Sequence, residues 1–451
     1  MKRILFVLQI IFIFNSCLLN PVVNGAVLSN ETDKNSFLRS VFGYLLQRPI
    51  RTIKLNKDSS VIQRLGTDQL SASLTVDGNP TTTSFVWTSS NTSVATVSEN
   101  GLVTSVGTGL ATITVREMGG SAFAVCAIHV YSGYVYTSLN FNTAVGRLTM
   151  NTSSGLLTFN STIGTVGIDP TGIAVDPFGR FAYTGDFNGG NISQFKIDVS
   201  TGALTANGSI TTGGLPRNIF ISPDAKFLYL ANQGLTSVQS FAINQSTGAL
   251  TLIDSFSVGS PLANLTMEPT GKYLFVRNST GTNLLSILLD SSGSMTLAST
   301  SPTVSPIGTL ATDPYGRYVF VACGLPNSIS SMKLNRENGN LALIGTLDLP
   351  TLPNGIVVHP NGRFLYSANI LDQTISTISI TPDSGALSLI ATTSPRGGSV
   401  RYIVIDPTGR FAYLADNAGS LQQYSIDQNT GVLTWLGDVN PGGNQWNLYI
   451  F

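Results

Sequence analysis

Hydrophobic and polar positions alternate in short runs along this chain, and after residue 131 the runs recur. An apolar stretch such as Gly172-Ile173-Ala174-Val175 is followed by Asp176-Pro177-Phe178-Gly179-Arg180 and then by Phe181-Ala182-Tyr183. Pro fixes φ and Gly admits positive φ, so the middle segment predicts a tight turn between two strands. Phe181 and Tyr183 stand at i and i+2, on one face of the second strand. The Pro turn returns near Pro223, Pro269, Pro314, Pro360 and Pro407, at intervals of 45 to 47 residues.

The aromatic-led strand begins seven times, at Tyr134, Phe181, Phe227, Tyr273, Tyr318, Phe364 and Phe411. A hairpin glycine also recurs seven times, at Gly155, Gly202, Gly248, Gly293, Gly339, Gly385 and Gly431. A third strand, such as Ile192–Asp198 or Leu421–Asp427, falls between the two landmarks. Four strands per period make one blade, and seven blades make a propeller. The first copy has no inner strand before Tyr134. The surplus segment Trp446–Phe451 fits that strand's pattern, so it is expected to complete the first blade and close the ring.

The preceding residues read differently. Short alternating strands are expected at Ser71–Val76, Ser84–Trp87, Ala95–Ser98, Ala111–Val115 and Ala122–Val130. Asn100-Gly101 marks a hairpin, and Trp87 is expected to plug the core of a β-sandwich. At the N-terminus, Lys2-Arg3 precedes an apolar run, Ile4–Phe14, too short to span a bilayer. Phe14-Asn15-Ser16-Cys17 resembles a bacterial lipobox, with Phe in place of the usual Leu, which implies lipidation at Cys17. Cleavage after Ala26 is the alternative. The expected division is therefore 1–26 export signal, 27–50 tether, 51–131 sandwich and 132–451 propeller. The protein is expected to be exported and held at the cell envelope, at the outer membrane or cell surface. Membrane contact comes only through an N-terminal lipid anchor.

Composition narrows the chemistry. Charged residues are 11% of the chain, with 24 acidic and 24 basic side chains, so no field favours nucleic acid. Cys126 and Cys323 read as buried free thiols, and two histidines, His129 and His359, are too scattered for a metal site. No Gly-rich phosphate loop, nucleophile elbow or calcium loop is present, and no cofactor or metal is expected. The Arg or Lys of each Pro turn (Arg180, Lys226, Lys272, Arg317, Arg363, Arg410) reads as a repeated structural device. His359 stands in the Asp slot of one such turn and reads as a turn residue.

Candidate chemistry lies where the inner strands begin, around one mouth of the channel. Aligning the copies places Arg217, Asn218, Asn264, Asn354, Arg401, Tyr402, Trp446 and Asn447 there. Guanidinium forks and amides suit a carboxylate, phosphate or sugar hydroxyls.

Two resemblances add to this reading. Trp87–Ser98, with Gly101–Thr104 and Gly107–Val115, resembles the bacterial group 2 immunoglobulin-like family, which implies a spacer or adhesive β-sandwich. Asp406-Pro407-Thr408-Gly409-Arg410-Phe411-Ala412-Tyr413 and Asp383-Ser384-Gly385-Ala386-Leu387, with their copies, resemble the seven-bladed lactonase-like propeller family. That family includes the bacterial 6-phosphogluconolactonases. The fold class is thus all-β: an immunoglobulin-like sandwich followed by a closed seven-bladed β-propeller. These motifs are scaffold motifs. The propeller's only histidine is in a turn, and Glu268 and Asp313 lie in turns away from the mouth, poorly placed to activate water. The expected role is therefore binding or adhesion, toward a carbohydrate, a carboxylate or a host or surface protein. The alternative is a lactone hydrolase acting at the channel mouth, and a third reading is a structural envelope protein.

Overall fold

A computed structural model describes residues 49–278, 283–302, 308–324, 326–396, 398, 400–416, 418–443 and 445–450. Cys17 and nearly all of the expected tether lie outside the described residues. Two compact units are formed. Among the described residues, one comprises 49–56 with Leu70–Thr88 and Thr114–Val125; the other comprises Lys57–Gln69, Ser89–Ile113 and those from Cys126 onward.

In the first unit, Arg51–Leu55, Ala72–Val76 and Asn79–Thr81 form an antiparallel sheet in that order. Arg51 ion-pairs there with the buried carboxylate of Glu117. Trp87 is half-buried, because the strand Phe85–Ser89 alternates only between half-buried and exposed positions; it does not plug a core. In the second unit, Ser59–Gln63 runs parallel to the end of Phe123–Tyr131. A small antiparallel sheet joins Thr67–Gln69, Leu102–Ser105 and Ala95–Val97.

The rest of the second unit is the propeller. Seven four-stranded antiparallel sheets follow one another, each ordered from inner to outer strand. The inner strands of blades two to seven are Pro170–Val175, Pro216–Ile221, Leu262–Met267, Leu310–Thr312, Pro353–Val358 and Val400–Ile405. Blade one takes its inner strand from the other end of the chain. Gln445–Ile450 lies antiparallel to Tyr134–Leu139, with Tyr449 opposite Tyr136 and Leu448 opposite Thr137. This strand also touches the inner strands of blades seven and two, so the ring is closed as the spacing predicts.

The two sequence landmarks meet at every blade boundary. Each hairpin glycine rests on the leading aromatic of the preceding blade: Gly202 on Tyr134, Gly248 on Phe181, and so on round to Gly155 on Phe411. A Cβ at these seven glycines would lie 2.2–2.7 Å from the ring. Their φ values of 69–84° are also left-handed, so glycine is required on both counts.

The Pro turns carry a second set of stitches. Asp176 accepts the backbone N–H groups of Arg180 (2.5 Å) and Phe181 (3.2 Å), while Arg180 Nε donates to its other oxygen at 2.7 Å. Arg180 Nη1 then reaches the Gln245 carbonyl of the next blade at 3.2 Å. Arg317 does the same with Asp313 and the Pro382 carbonyl, and Arg410 reaches the Thr152 carbonyl across the seam. The repeated bases are thus structural. Cys126 and Cys323 are free and buried, as expected.

Candidate functional site

The inner strands do not pair evenly with their neighbours. Register shifts fall between Pro170 and Gly172, Pro216 and Asn218, Leu262 and Asn264, Pro353 and Gly355, and Val400 and Tyr402. Each shift is a β-bulge, which leaves one residue unpaired and re-aims its side chain. The bulged residues are Thr171, Arg217, Ala263, Asn354 and Arg401. Sequence alignment had therefore pointed to a row of backbone irregularities.

A bulge frees a carbonyl from the ladder, and a buried carbonyl needs a donor. The preceding blade supplies it. Ser138 donates to the Thr171 carbonyl at 3.0 Å, and Thr171 to that of Arg217 at 3.0 Å. Thr309 donates to the Asn354 carbonyl at 2.6 Å, and the Asn354 amide to that of Arg401 at 3.3 Å. Close approach completes the fit: a Cβ on Gly172 would sit 2.8 Å from the Arg217 oxygen, and one on Gly355 2.3 Å from the Arg401 oxygen. The rim is thereby fixed from blade to blade by side-chain donors on bulge carbonyls.

The channel encloses a cavity of about 390 Å³. Asn218, Asn264, Tyr402 and Asn447 line it, together with Thr266, Thr309 and Tyr449 among its polar groups. Arg217, Asn354 and Arg401 stand on the bulges beside it. The Trp446 side chain lies outside the described residues. Arg217 Nη1 donates to Gln233 Oε1 at 2.8 Å, which holds the guanidinium from the hairpin above. Burial pushes the Tyr402 phenol above its ordinary pKa, and the fields of Arg217 and Arg401 pull it back in part. Tyr402 stays protonated near neutrality and serves as a donor.

The sequence reading passed over some contributors. Gln233 follows an otherwise ordinary strand end. Arg277 is fully buried and donates Nη1 to the carbonyls of Gly308 at 3.1 Å and Ala322 at 2.8 Å. Blades three, five, six and seven carry alanine at its position (Ala231, Ala322, Ala368, Ala415), and that contrast was the available signal. Arg277 pairs in register with Asn264 and braces the start of the shortest inner strand, Leu310–Thr312. His359 is buried in its turn: Nδ1 accepts from the Asn361 N–H at 3.1 Å and Nε2 lies 2.8 Å from the Gly409 carbonyl. The first contact leaves the proton on Nε2, so the ring is neutral and fully used. Among the described residues no group of three or more His, Cys, Asp or Glu side chains could hold a metal ion.

Comparison with known proteins adds the family. The model described as Bacterial Ig-like domain (group 2) matches residues 49–124. The model described as Lactonase, 7-bladed beta-propeller matches residues 89–213, 170–263, 209–305 and 310–446, well over half of the chain. Among solved structures, a putative 6-phosphogluconolactonase from Bacteroides fragilis is similar at a TM-score of 0.63 and 18% identity, over 70% of this chain and 97% of that one. A periplasmic gluconolactonase from Pseudomonas aeruginosa gives a TM-score of 0.63 and 19% identity, over 70% and 98%. A protein from Lactobacillus plantarum gives 0.63 and 20%, over 71% and 99%. No curated protein sequence matches. The expectation of a binding or adhesion protein is corrected by the family match: it points to lactonases, and no match speaks for adhesion. The preference for binding rests on the lack of a histidine or carboxylate placed to activate water at the mouth, and the family match covers the chain all the same. This chain belongs to the family described as Lactonase, 7-bladed beta-propeller.

Proposed function

We propose that the protein hydrolyses a sugar lactone at the bulged end of its channel. The observation that carries this reading is a channel cavity lined by Asn218, Asn264, Asn447 and Tyr402, with Arg217 and Arg401 on the inner-strand bulges next to Asn218 and Tyr402. Addition of water to a lactone carbonyl places negative charge on the carbonyl oxygen. Two guanidiniums and a protonated phenol are donors suited to that oxyanion. Collapse of the tetrahedral intermediate breaks the ring C–O bond. The ring oxygen takes a proton, and the product is an open hydroxy acid whose carboxylate the arginines also suit.

No carboxylate or imidazole is among the described residues lining the cavity. The attacking water therefore gives its proton to solvent in the channel, and catalysis falls on electrostatic stabilisation rather than on a general base. The test is a lactone-hydrolysis assay on the purified protein, with glucono-δ-lactone and its 6-phosphate as substrates and Arg401→Ala as the comparison. Turnover above the spontaneous rate, lost in the variant, is the expected result. A rate no higher than that of lactone in buffer would overturn the proposal.

A further inference from the structure

Three blades place an asparagine at the same register position of the inner strand: Asn218, Asn264 and Asn447, each lining the channel. In two of them the amide oxygen is tied to backbone. Asn264 Oδ1 accepts from the Leu310 N–H at 3.4 Å, and Asn447 Oδ1 from its neighbour Leu448 at 2.8 Å. Asn218 differs. It is 8% exposed, yet its Oδ1 is buried with no hydrogen-bond partner. A buried amide acceptor left unmade is costly, and native structures keep such groups where something else supplies the donor.

We infer that Asn218 is a specificity residue, accepting a hydrogen bond from a ring hydroxyl of the substrate while the adjacent Arg217 faces the carbonyl. The inference rests on the hydrolase reading above. It explains why one of three equivalent amides is held open: its immediate neighbour is a bulged arginine, so hydroxyl and carbonyl recognition fall on consecutive residues. Asn218 itself lines the channel cavity, which is large enough for a six-membered lactone. A site that keeps an acceptor for a substrate hydroxyl discriminates against the analogue lacking it, because that acceptor then stays unpaired.

The experiment compares glucono-δ-lactone with δ-valerolactone, which has the same ring and no hydroxyls. The full protein and its Asn218→Leu and Asn218→Ala variants are assayed for kcat/KM on both. The expected result is a loss of at least about tenfold on glucono-δ-lactone, with δ-valerolactone unchanged or improved. Because the readout is a ratio between two substrates, a general loss of folded protein moves both values together and leaves the ratio alone. An unchanged ratio in both variants overturns the role of Asn218 while leaving the hydrolase intact. An unmodified protein that hydrolyses neither lactone nor 6-phosphogluconolactone overturns the hydrolase, and this inference falls with it.

Discussion

Tyr413 donates its phenolic O–H to the carbonyl of Gly155 at 2.7 Å, across 258 positions of sequence. The same bond joins Tyr136 to Gly202, Tyr183 to Gly248 and Tyr366 to Gly431, at 2.7–2.8 Å. The bond from Tyr413 is the one that links the last blade to the first. Replacing Tyr413 by Phe keeps the ring but strands a buried carbonyl, so a loss of about 1–3 kcal/mol is expected. Equilibrium urea unfolding checks it, with an unchanged m-value showing that the native state is otherwise intact.

Gly355→Ala is expected to act on activity as well as stability. Its Cβ would press on the Arg401 carbonyl, which is backbone and has nowhere simple to move. Overpacking of this kind costs about 1–3 kcal/mol. The bulge that carries Arg401 shifts with it, so kcat on a sugar lactone should fall by more than the loss of folded protein accounts for. Gly345→Ala, where an added Cβ meets nothing, is the matched control.

Arg217→Ala and Arg401→Ala are each expected to lower kcat by about a hundredfold, the usual effect of removing one oxyanion donor. Tyr402→Phe should lose less, because the two charged donors remain. A steady-state comparison of the three variants checks the ranking; losses confined to KM would assign the arginines to ground-state binding.

Burial lowers the pKa of His359, with its bonds to Gly409 and Asn361 working in the opposite direction. The unfolded chain therefore takes up this proton first as pH falls. The stability that neutral His359 contributes is whole above the ordinary value of 6.5 and declines as the solution is acidified below it. The variant His359→Asp supplies the carboxylate found at Asp176, Asp313 and Asp406 in the corresponding turns, where its oxygens accept two backbone N–H groups. Its melting temperature is expected to fall less between pH 7 and 5 than that of the unmodified protein, the remaining fall coming from His129, whose pKa burial lowers to about 4. Calorimetry at three pH values checks this.

Much of the architecture was legible because it is repeated. The aromatic pair, the Pro turn and the hairpin glycine each occur at one spacing. What the spacing could not show is that the glycine of one blade sits on the aromatic of the blade before it, since contact across a boundary has no period of its own. Arg217 and Arg401 were legible by alignment. The bulges that present them were not, because a bulge lies in hydrogen-bond register and leaves the residue types untouched. Asn218, Asn264 and Asn447 look alike in sequence; only coordinates separate the one whose oxygen is unspent. Arg277 was visible as an arginine among alanines, but its targets are backbone carbonyls, which no sequence pattern marks.

The seam of the ring runs through a blade rather than between two blades. A ribosome must therefore release residues 445–450 before the strand it made some three hundred residues earlier acquires its inner partner. Every shorter product exposes that strand's edge, which is the surface most prone to pairing with a stranger. Circular permutation of the propeller segment alone, 132–451, to termini at a junction such as 164–170 would give every blade strands from one continuous stretch. Such a permutant should mature faster yet open more readily, since its last junction would hold by side-chain packing and the hydrogen bonds of Tyr136 and Ser138 rather than by a strand ladder.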